Sequence, residues 1–127
     1  GQIKDQPPEL YLVYPQGNYI RPADSKPYLV IGEVKYGKPI LDRVITPKVS
    51  IGDASRCALI SMDSTLKSDL TVGPPIDFAV IKKDEIKIAS LKCLNMDDPE
   101  FSKVCSQWSQ GIFKIFDSFQ RFDWEQN

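Results

Sequence analysis

The first quarter of the chain alternates apolar runs with turn residues. Residues 9–20, ELYLVYPQGNYI, are rich in aromatic and branched side chains and are interrupted by Pro15 and Gly17. This pattern predicts a hairpin of two short strands. The apolar run at residues 28–31 predicts another buried strand, which Gly32 ends.

Two helices are predicted next. Pro39 lacks an N–H and belongs in a first helical turn, so we expect a helix from near residues 36–38 to about residue 45. Asp53 is a possible N-cap for a second helix over residues 54–66. That helix carries a stripe of small side chains, which predicts close packing against a sheet. The stripe consists of Ala54, Cys57, Ala58 and Ser61.

The pattern after the two adjacent prolines predicts two more strands. Residues 76–82 and 86–94 are apolar and branched, and only residues 83–85 separate them. So short a connection predicts an antiparallel hairpin.

The last predicted element is an amphipathic helix. Asp98 as N-cap and Pro99 as the first helical residue open it. Its apolar positions share one face, which we expect to be buried. These positions are Phe101, Val104, Cys105, Trp108, Ile112, Ile115, Phe116 and Phe119. Beyond the helix, Trp124 is expected to pin the chain terminus down.

This order of elements predicts an α+β fold, with helices layered on a mostly antiparallel sheet. The chain has 127 residues. We therefore expect residues 1–127 to be a single domain or part of a longer one.

Charge and hydropathy argue against several classes of partner. Lysine and arginine number 16 and aspartate and glutamate 17, giving a net charge of -1. A nearly neutral chain does not attract nucleic acid or an anionic membrane strongly. No apolar run reaches the about 20 residues of a membrane span, and the polar first residues are unlike a signal peptide. We therefore expect a cytoplasmic protein with neither nucleic acid nor membrane as partner.

Histidine is absent, which excludes Ser-His-Asp and Cys-His catalysis and histidine-ligated metal within this chain. The cysteines Cys57, Cys93 and Cys105 are odd in number and lack C-x-x-C spacing. They are therefore predicted to be buried free thiols. We expect no metal and no cofactor.

A polar cluster, SMDSTLKSDLTVG, has two possible chemical interpretations. Ser64 and Lys67 match the S-x-x-K spacing of penicillin-recognising enzymes, but the companion motifs are missing, which favours a solvated helix end. Asp63, Asp69 and Asp77 lack the glycine-centred spacing of a calcium loop. The cluster therefore offers no self-sufficient catalytic centre.

Several stretches together resemble the Anbu branch of bacterial proteasome-type proteases, the ancestral β subunit. They are LYLVYPQGNYI, PYLVIGEVKYGKPILDR, ALISMDSTLKSDLTVGPPIDFAV, DDPEF and WSQGIF. The resemblance implies part of an αββα N-terminal-nucleophile hydrolase sandwich, specifically its C-terminal half, in an enzyme assembled from many copies.

The resemblance also implies threonine peptidase chemistry on peptides or unfolded proteins. The family's nucleophile is an N-terminal threonine whose own amino group, with a pKa near 8, accepts the proton. This chain begins at Gly1, its first threonine is Thr46, and no glycine precedes a threonine, serine or cysteine. The resemblance therefore predicts that the nucleophile lies outside these residues and that the chain alone is inactive.

Two segments resemble the family's active-site supports. DLTVG matches the D-x-x-S-G turn through Asp69 and Gly73, while Val72 replaces the serine. Thr71 or Ser68 is a candidate for the missing hydroxyl.

The second segment is IGEVKYGKP, a strand-to-helix elbow without the spacing of phosphate-binding loops. Gly32 resembles the first glycine of the family's G-S-G-S elbow, with Glu33 and Lys35 where serines usually lie. The alternative is a non-catalytic α+β module for assembly or protein interaction. In either case we expect a homo-oligomer, with residues 28–31 or 76–82 at or near the contact.

Overall fold

A computed structural model describes residues 1–85 and 87–126. The first element is a hairpin of β1 (Leu12–Val13) and β2 (Tyr19–Ile20), which pair antiparallel. Gly17 lies in the connecting turn with φ 87°, a left-handed conformation that glycine adopts without strain. The predicted first hairpin is confirmed.

The predicted strand at residues 28–31 is wrong. Across the described ranges this segment joins no sheet, and the side chain of Ile31 is 76% exposed. A strand needs a neighbour to satisfy its backbone groups, and the described residues place none beside it. The Tyr28 hydroxyl instead donates to Asp42 Oδ1 at 2.7 Å.

The next two elements are helices, α1 (Lys38–Val44) and α2 (Ile51–Ser68). Pro39 lies in the first turn of α1, as predicted. The predicted N-cap Asp53 is wrong, because Ser50 caps α2 and its Oγ accepts the Asp53 N–H at 3.0 Å. Ser50 has the extended backbone that a cap requires, whereas Asp53 lies in the first turn, where its charge suits the helix dipole.

The stripe of small side chains packs against α1 and not against a sheet, so that prediction is wrong. Cys57 Sγ lies 4.0 Å from the carbonyl oxygen of Ile40, and Ser61 is buried, while Ala58 is exposed. Small side chains let the backbone of α1 come close to α2. Larger side chains of α2, namely Leu59, Met62 and Leu66, instead pack against the core cluster that Ile76 and Leu94 form with Phe101.

A second hairpin follows, built from β3 (Ile76–Ile81) and β4 (Ile88–Leu94). The strands pair antiparallel with Ile76 opposite Leu94, which confirms the predicted hairpin with ends shifted by one or two residues. Ile86, the predicted start of the second strand, lies outside the described residues.

The last long element is α3 (Pro99–Asp117). The Asp98 carboxylate accepts the backbone N–H groups of Glu100 and Phe101, both at 3.0 Å. The predicted N-cap and first turn are therefore confirmed. A short 3₁₀ helix, Asp123–Gln126, follows α3.

Burial of the apolar face of α3 is confirmed for Phe101 and only in part for the half-buried Val104, Cys105 and Trp108. Phe101 is 1% exposed, but the face remains uncovered further along, because α3 extends beyond the surface on which it packs. The uncovered residues of the predicted face are Ile112, Ile115, Phe116 and Phe119. Trp124 does not fix the terminus to the core, since it is 72% exposed, and among the described residues its ring stacks on that of Phe122.

The core lies between β3–β4 and the helices α2 and α3. Its buried centre is formed by Ile76, Leu94 and Phe101. Alternate side chains on the other face of the hairpin, including Leu91 and Cys93, are exposed. The hairpin is therefore covered by helices on one face and uncovered on the other.

The α+β class is confirmed, but the strands of the described residues form two separate two-stranded sheets instead of one larger sheet. All three cysteines are free: Cys57 is buried and Cys105 half-buried, whereas Cys93 is exposed, contrary to prediction. Across the part of the chain that the structure describes, every helix is too short or too polar to cross a bilayer.

Candidate functional site

The predicted support turn begins where α2 ends. Asp69 is the C-cap of α2, and its N–H donates to the Thr65 carbonyl at 2.8 Å. Asp69 Oδ1 accepts both the Thr71 backbone N–H at 2.8 Å and the Thr71 hydroxyl at 2.7 Å. These hydrogen bonds lower the pKa of Asp69, and the positive charge of Lys35 lowers it further. The turn thus holds an ionised carboxylate in a defined orientation.

The other residues predicted for this turn lie around Asp69. Of the two hydroxyl candidates, Thr71 contacts the carboxylate, while Ser68 is the exposed last residue of α2. Gly73 is exposed just beyond the turn, and Val72 is half-buried. The geometry therefore favours Thr71 as the hydroxyl partner of Asp69.

The predicted elbow precedes α1. Gly32 has φ 77°, a left-handed conformation that favours glycine. Glu33 Oε1 accepts the Lys35 backbone N–H at 2.7 Å, which closes a local turn. The elbow leads into α1, which packs against α2, and the positive charge of Lys35 helps to lower the pKa of Asp69.

Gly37 brings these two segments together, a role that the sequence interpretation missed. A Cβ at Gly37 would lie 2.3 Å from Ser61 Oγ, 3.0 Å from the Ser61 carbonyl oxygen and 3.1 Å from Thr65 Oγ1. Ser61 and Thr65 are buried, and the Thr65 hydroxyl donates to the Ser61 carbonyl at 3.0 Å. The only signal in the sequence is a pair of hydroxyl residues four positions apart on the helix.

Lys67 is not paired with Ser64, so the structure does not support the S-x-x-K interpretation. Its ammonium donates to Asp63 Oδ2 at 2.8 Å and to Ser109 Oγ of α3 at 3.3 Å. An ammonium has no lone pair with which to accept a serine proton, and its two acceptors are Asp63 and Ser109.

Asp63 is unexpectedly buried, and its side chain is only 2% exposed. Among the described residues its Oδ1 has no hydrogen-bond partner. Burial raises the pKa of the neighbouring Cys105 thiol to about 11, and the Asp63 carboxylate adds to the rise. A cleft of about 240 Å³ between α2 and α3 lies beside these side chains.

The three aspartates considered as ligands for a cation have different partners and do not form one site. Asp63 pairs with Lys67, Asp69 accepts from Thr71, and Asp77 lies opposite Cys93 in the β3–β4 ladder. Within residues 1–85 and 87–126 no three potential metal-binding side chains of the His, Cys, Asp or Glu type converge.

The Asp69–Thr71 turn is expected to depend on pH. Because the folded state lowers the Asp69 pKa, its contribution to stability is present above the unfolded pKa of about 3.9 and is lost as pH falls through the folded value. We expect ¹³C NMR to show Asp69 titrating below the ordinary aspartate pKa of about 3.9, and Thr71→Val to move the Asp69 pKa upward. An unchanged Asp69 pKa in Thr71→Val would contradict this geometry.

Neither a protein-family model nor a curated protein matches this sequence. Several solved structures, however, are similar to it. An Anbu (Gly-1) mutant from Hyphomicrobium sp. strain MC1 is 41% identical with a TM-score of 0.90, over 96% of this chain and 52% of that chain. Anbu (ancestral beta-subunit) from Yersinia bercovieri is 40% identical with a TM-score of 0.92, over 96% of this chain and 52% of that one.

A third structure is the helical assembly of the Anbu complex from Pseudomonas aeruginosa. It is 41% identical with a TM-score of 0.89, and the match covers 99% of this chain and 52% of that chain. The sequence thus spans about half the length of the chains that it matches.

Proposed function

The chain belongs to the Anbu family of ancestral β subunits, confirming the predicted resemblance to an Anbu C-terminal half, and we propose that it supports a proteasome-type threonine endopeptidase. The match at a TM-score of 0.90 over 96% of this chain carries the proposal. Because the chain spans about half of its relatives, the nucleophile is assigned to the other half of the subunit.

The covered and uncovered faces of the β3–β4 hairpin support an αββα sandwich. Helices α2 and α3 cover one face, whereas Leu91 on the other is 68% exposed. Apolar surface left in water costs roughly 25 cal/mol per Å². A second sheet from the other half of the subunit would remove this cost and complete the layers.

In the proposed mechanism, the N-terminal threonine of the other half attacks the peptide carbonyl, and its own amino group accepts the hydroxyl proton. The developing ammonium needs a nearby negative charge that does not have to reorganise. Asp69 provides such a charge, because Thr71 already holds its carboxylate ionised and oriented. The elbow of Gly32, Glu33 and Lys35 borders the same site.

The proposal places the protein in the cytoplasm, with peptides or unfolded proteins as substrates. It also makes the full subunit a homo-oligomer. The P. aeruginosa relative supports this part, since its structure is described as a helical assembly of the Anbu complex.

A second candidate function is a non-catalytic assembly module. The exposed apolar end of α3, which includes Ile115 and Phe116, favours it, since exposed patches of this kind commonly mark interaction surfaces. In that case the Asp69–Thr71 turn would serve only to end α2.

Peptidase activity distinguishes the two candidates. We expect this chain alone to show no hydrolysis of a fluorogenic peptide above buffer. Co-produced with the complementary half of the Y. bercovieri subunit, it is expected to form a complex that hydrolyses the peptide. Asp69→Ala should lower that rate about 10²-fold, because the developing ammonium of the threonine loses its oriented negative partner. Asp97→Ala should leave the rate unchanged.

Hydrolysis by this chain alone, removed by Asp69→Ala or Lys67→Ala, would contradict the placement of the nucleophile in the other half. A stable complex of both halves without hydrolysis would favour the assembly module.

The chain alone is also expected to self-associate. The uncovered face of β3–β4 and the exposed end of α3 are apolar. Covering either surface with a second copy removes apolar area from water and lowers the free energy of the system. Light scattering at micromolar concentration should give a dimer or a larger species. Addition of the complementary half should reduce this self-association, because it competes for the uncovered face of β3–β4. A monodisperse monomer would contradict this prediction.

A further inference from the structure

Lys67 compensates a carboxylate that is otherwise isolated. The Asp63 side chain is 2% exposed, and its Oδ2 accepts from the Lys67 ammonium at 2.8 Å. The Lys67 side chain itself is 55% exposed, so the pair lies at the edge of the core. A buried carboxylate without a partner is costly, and this cost favours keeping the ammonium beside Asp63.

The same ammonium connects two helices. Lys67 lies in the last turn of α2, and its second acceptor, Ser109 Oγ at 3.3 Å, belongs to α3. Helix α3 is itself fixed by the Asp98 cap and by the buried Phe101 side chain. The last turn of α2 is therefore tied to an anchored helix.

The tied turn leads directly into the proposed support turn. Two residues after Lys67, the chain leaves α2 at Asp69, whose N–H still bonds to Thr65 of the last helical turn. Helix ends fray when their terminal groups are not held. Movement here would carry the Asp69 carboxylate and its Thr71 partner with it.

We propose that Lys67 is a positioning residue: by bridging Asp63 and Ser109, it fixes the end of α2 and thereby the Asp69–Thr71 turn. Its relevance to catalysis rests on the proposed peptidase function, but the positioning itself does not. In this proposal Lys67 holds the end of α2 in place and does not take part in the serine–lysine chemistry that its spacing from Ser64 suggests.

NMR of the chain tests this inference without using activity. In Lys67→Met we expect the Thr71 amide to exchange at least about tenfold faster and the Asp69 pKa to rise toward its ordinary value. Lys67→Arg should restore both, because the guanidinium keeps the charge and can reach the same acceptors. Lys103→Met, which removes an exposed lysine of α3, should change neither.

Ser109→Ala provides a second variant without a change of charge. It should also accelerate exchange of the Thr71 amide, but by a smaller factor than Lys67→Met. If Lys67→Met does not fold, Ser109→Ala replaces it as the test. Unchanged Thr71 exchange in folded Lys67→Met, or in Ser109→Ala when that variant carries the test, would overturn the inference. If Thr71 responds as expected while the complex of both halves remains inactive, the positioning role stands and the proposed peptidase function fails.

Discussion

Phe101→Ala is expected to lower the free energy of unfolding by about 3–5 kcal/mol. Phe101 is 1% exposed and joins α3 to Ile76 and Leu94 at the centre of the core. Its removal loses the favourable free energy of transferring the ring out of water, and the cavity that remains destabilises the fold further. Urea denaturation followed by far-UV circular dichroism measures the change.

Phe113→Ala is the matched control, since Phe113 lies on the same helix but is 70% exposed. Its effect should stay within about 0.5 kcal/mol. If Phe101→Ala does not fold, Phe101→Leu should still show a measurable loss of about 1–2 kcal/mol. Equal effects at Phe101 and Phe113 would contradict this account of the core.

Gly37→Ala is expected to destabilise the chain by about 1–3 kcal/mol through overpacking. The new methyl group would lie 2.3 Å from Ser61 Oγ and 3.0 Å from the Ser61 carbonyl oxygen, so α1 must move away from α2. This movement should also displace the elbow that carries Lys35. The unfolding free energy and the chemical shifts of residues 69–71 measure the two effects.

Gly111→Ala is the control, because a Cβ at Gly111 meets nothing within 4 Å. Within α3 this change should stabilise the chain by up to about 1 kcal/mol, the difference in helix propensity. The double variant Gly37→Ala, Ser61→Ala should recover part of the loss, since it removes the nearest clashing atom, Ser61 Oγ, and keeps a good helix former within α2. A neutral Gly37→Ala would show that α1 and α2 do not pack so closely.

The sequence predicted correctly those elements whose geometry depends only on residues a few positions apart. The Asp98–Pro99 helix start and both hairpins are of this kind, and the structure contains them. The strand at residues 28–31 was wrong because a strand depends on a neighbour that the pattern cannot supply. The cap of α2 was wrong because Ser50 and Asp53 are both capping residues and only the backbone decides between them.

The same distinction applies to the candidate site. The pairing of Asp69 with Thr71 spans two residues and follows from the turn chemistry of aspartate. The close approach of Gly37 to α2 joins distant parts of the chain, and the spacing of Ser61 and Thr65 does not indicate that Gly37 lies against them. Asp63 and Lys67 have the spacing of a helical ion pair, but the burial of Asp63 depends on α3.

The most direct test of the central claim is an experimental structure of this chain assembled with the complementary half of an Anbu subunit. We expect a second sheet on the uncovered face of β3–β4, and the Asp69 carboxylate within about 3–4 Å of the N-terminal threonine or its hydrogen-bond partners. An N-terminal threonine remote from both the Asp69–Thr71 turn and the Gly32 elbow, with that face still uncovered, would contradict the account.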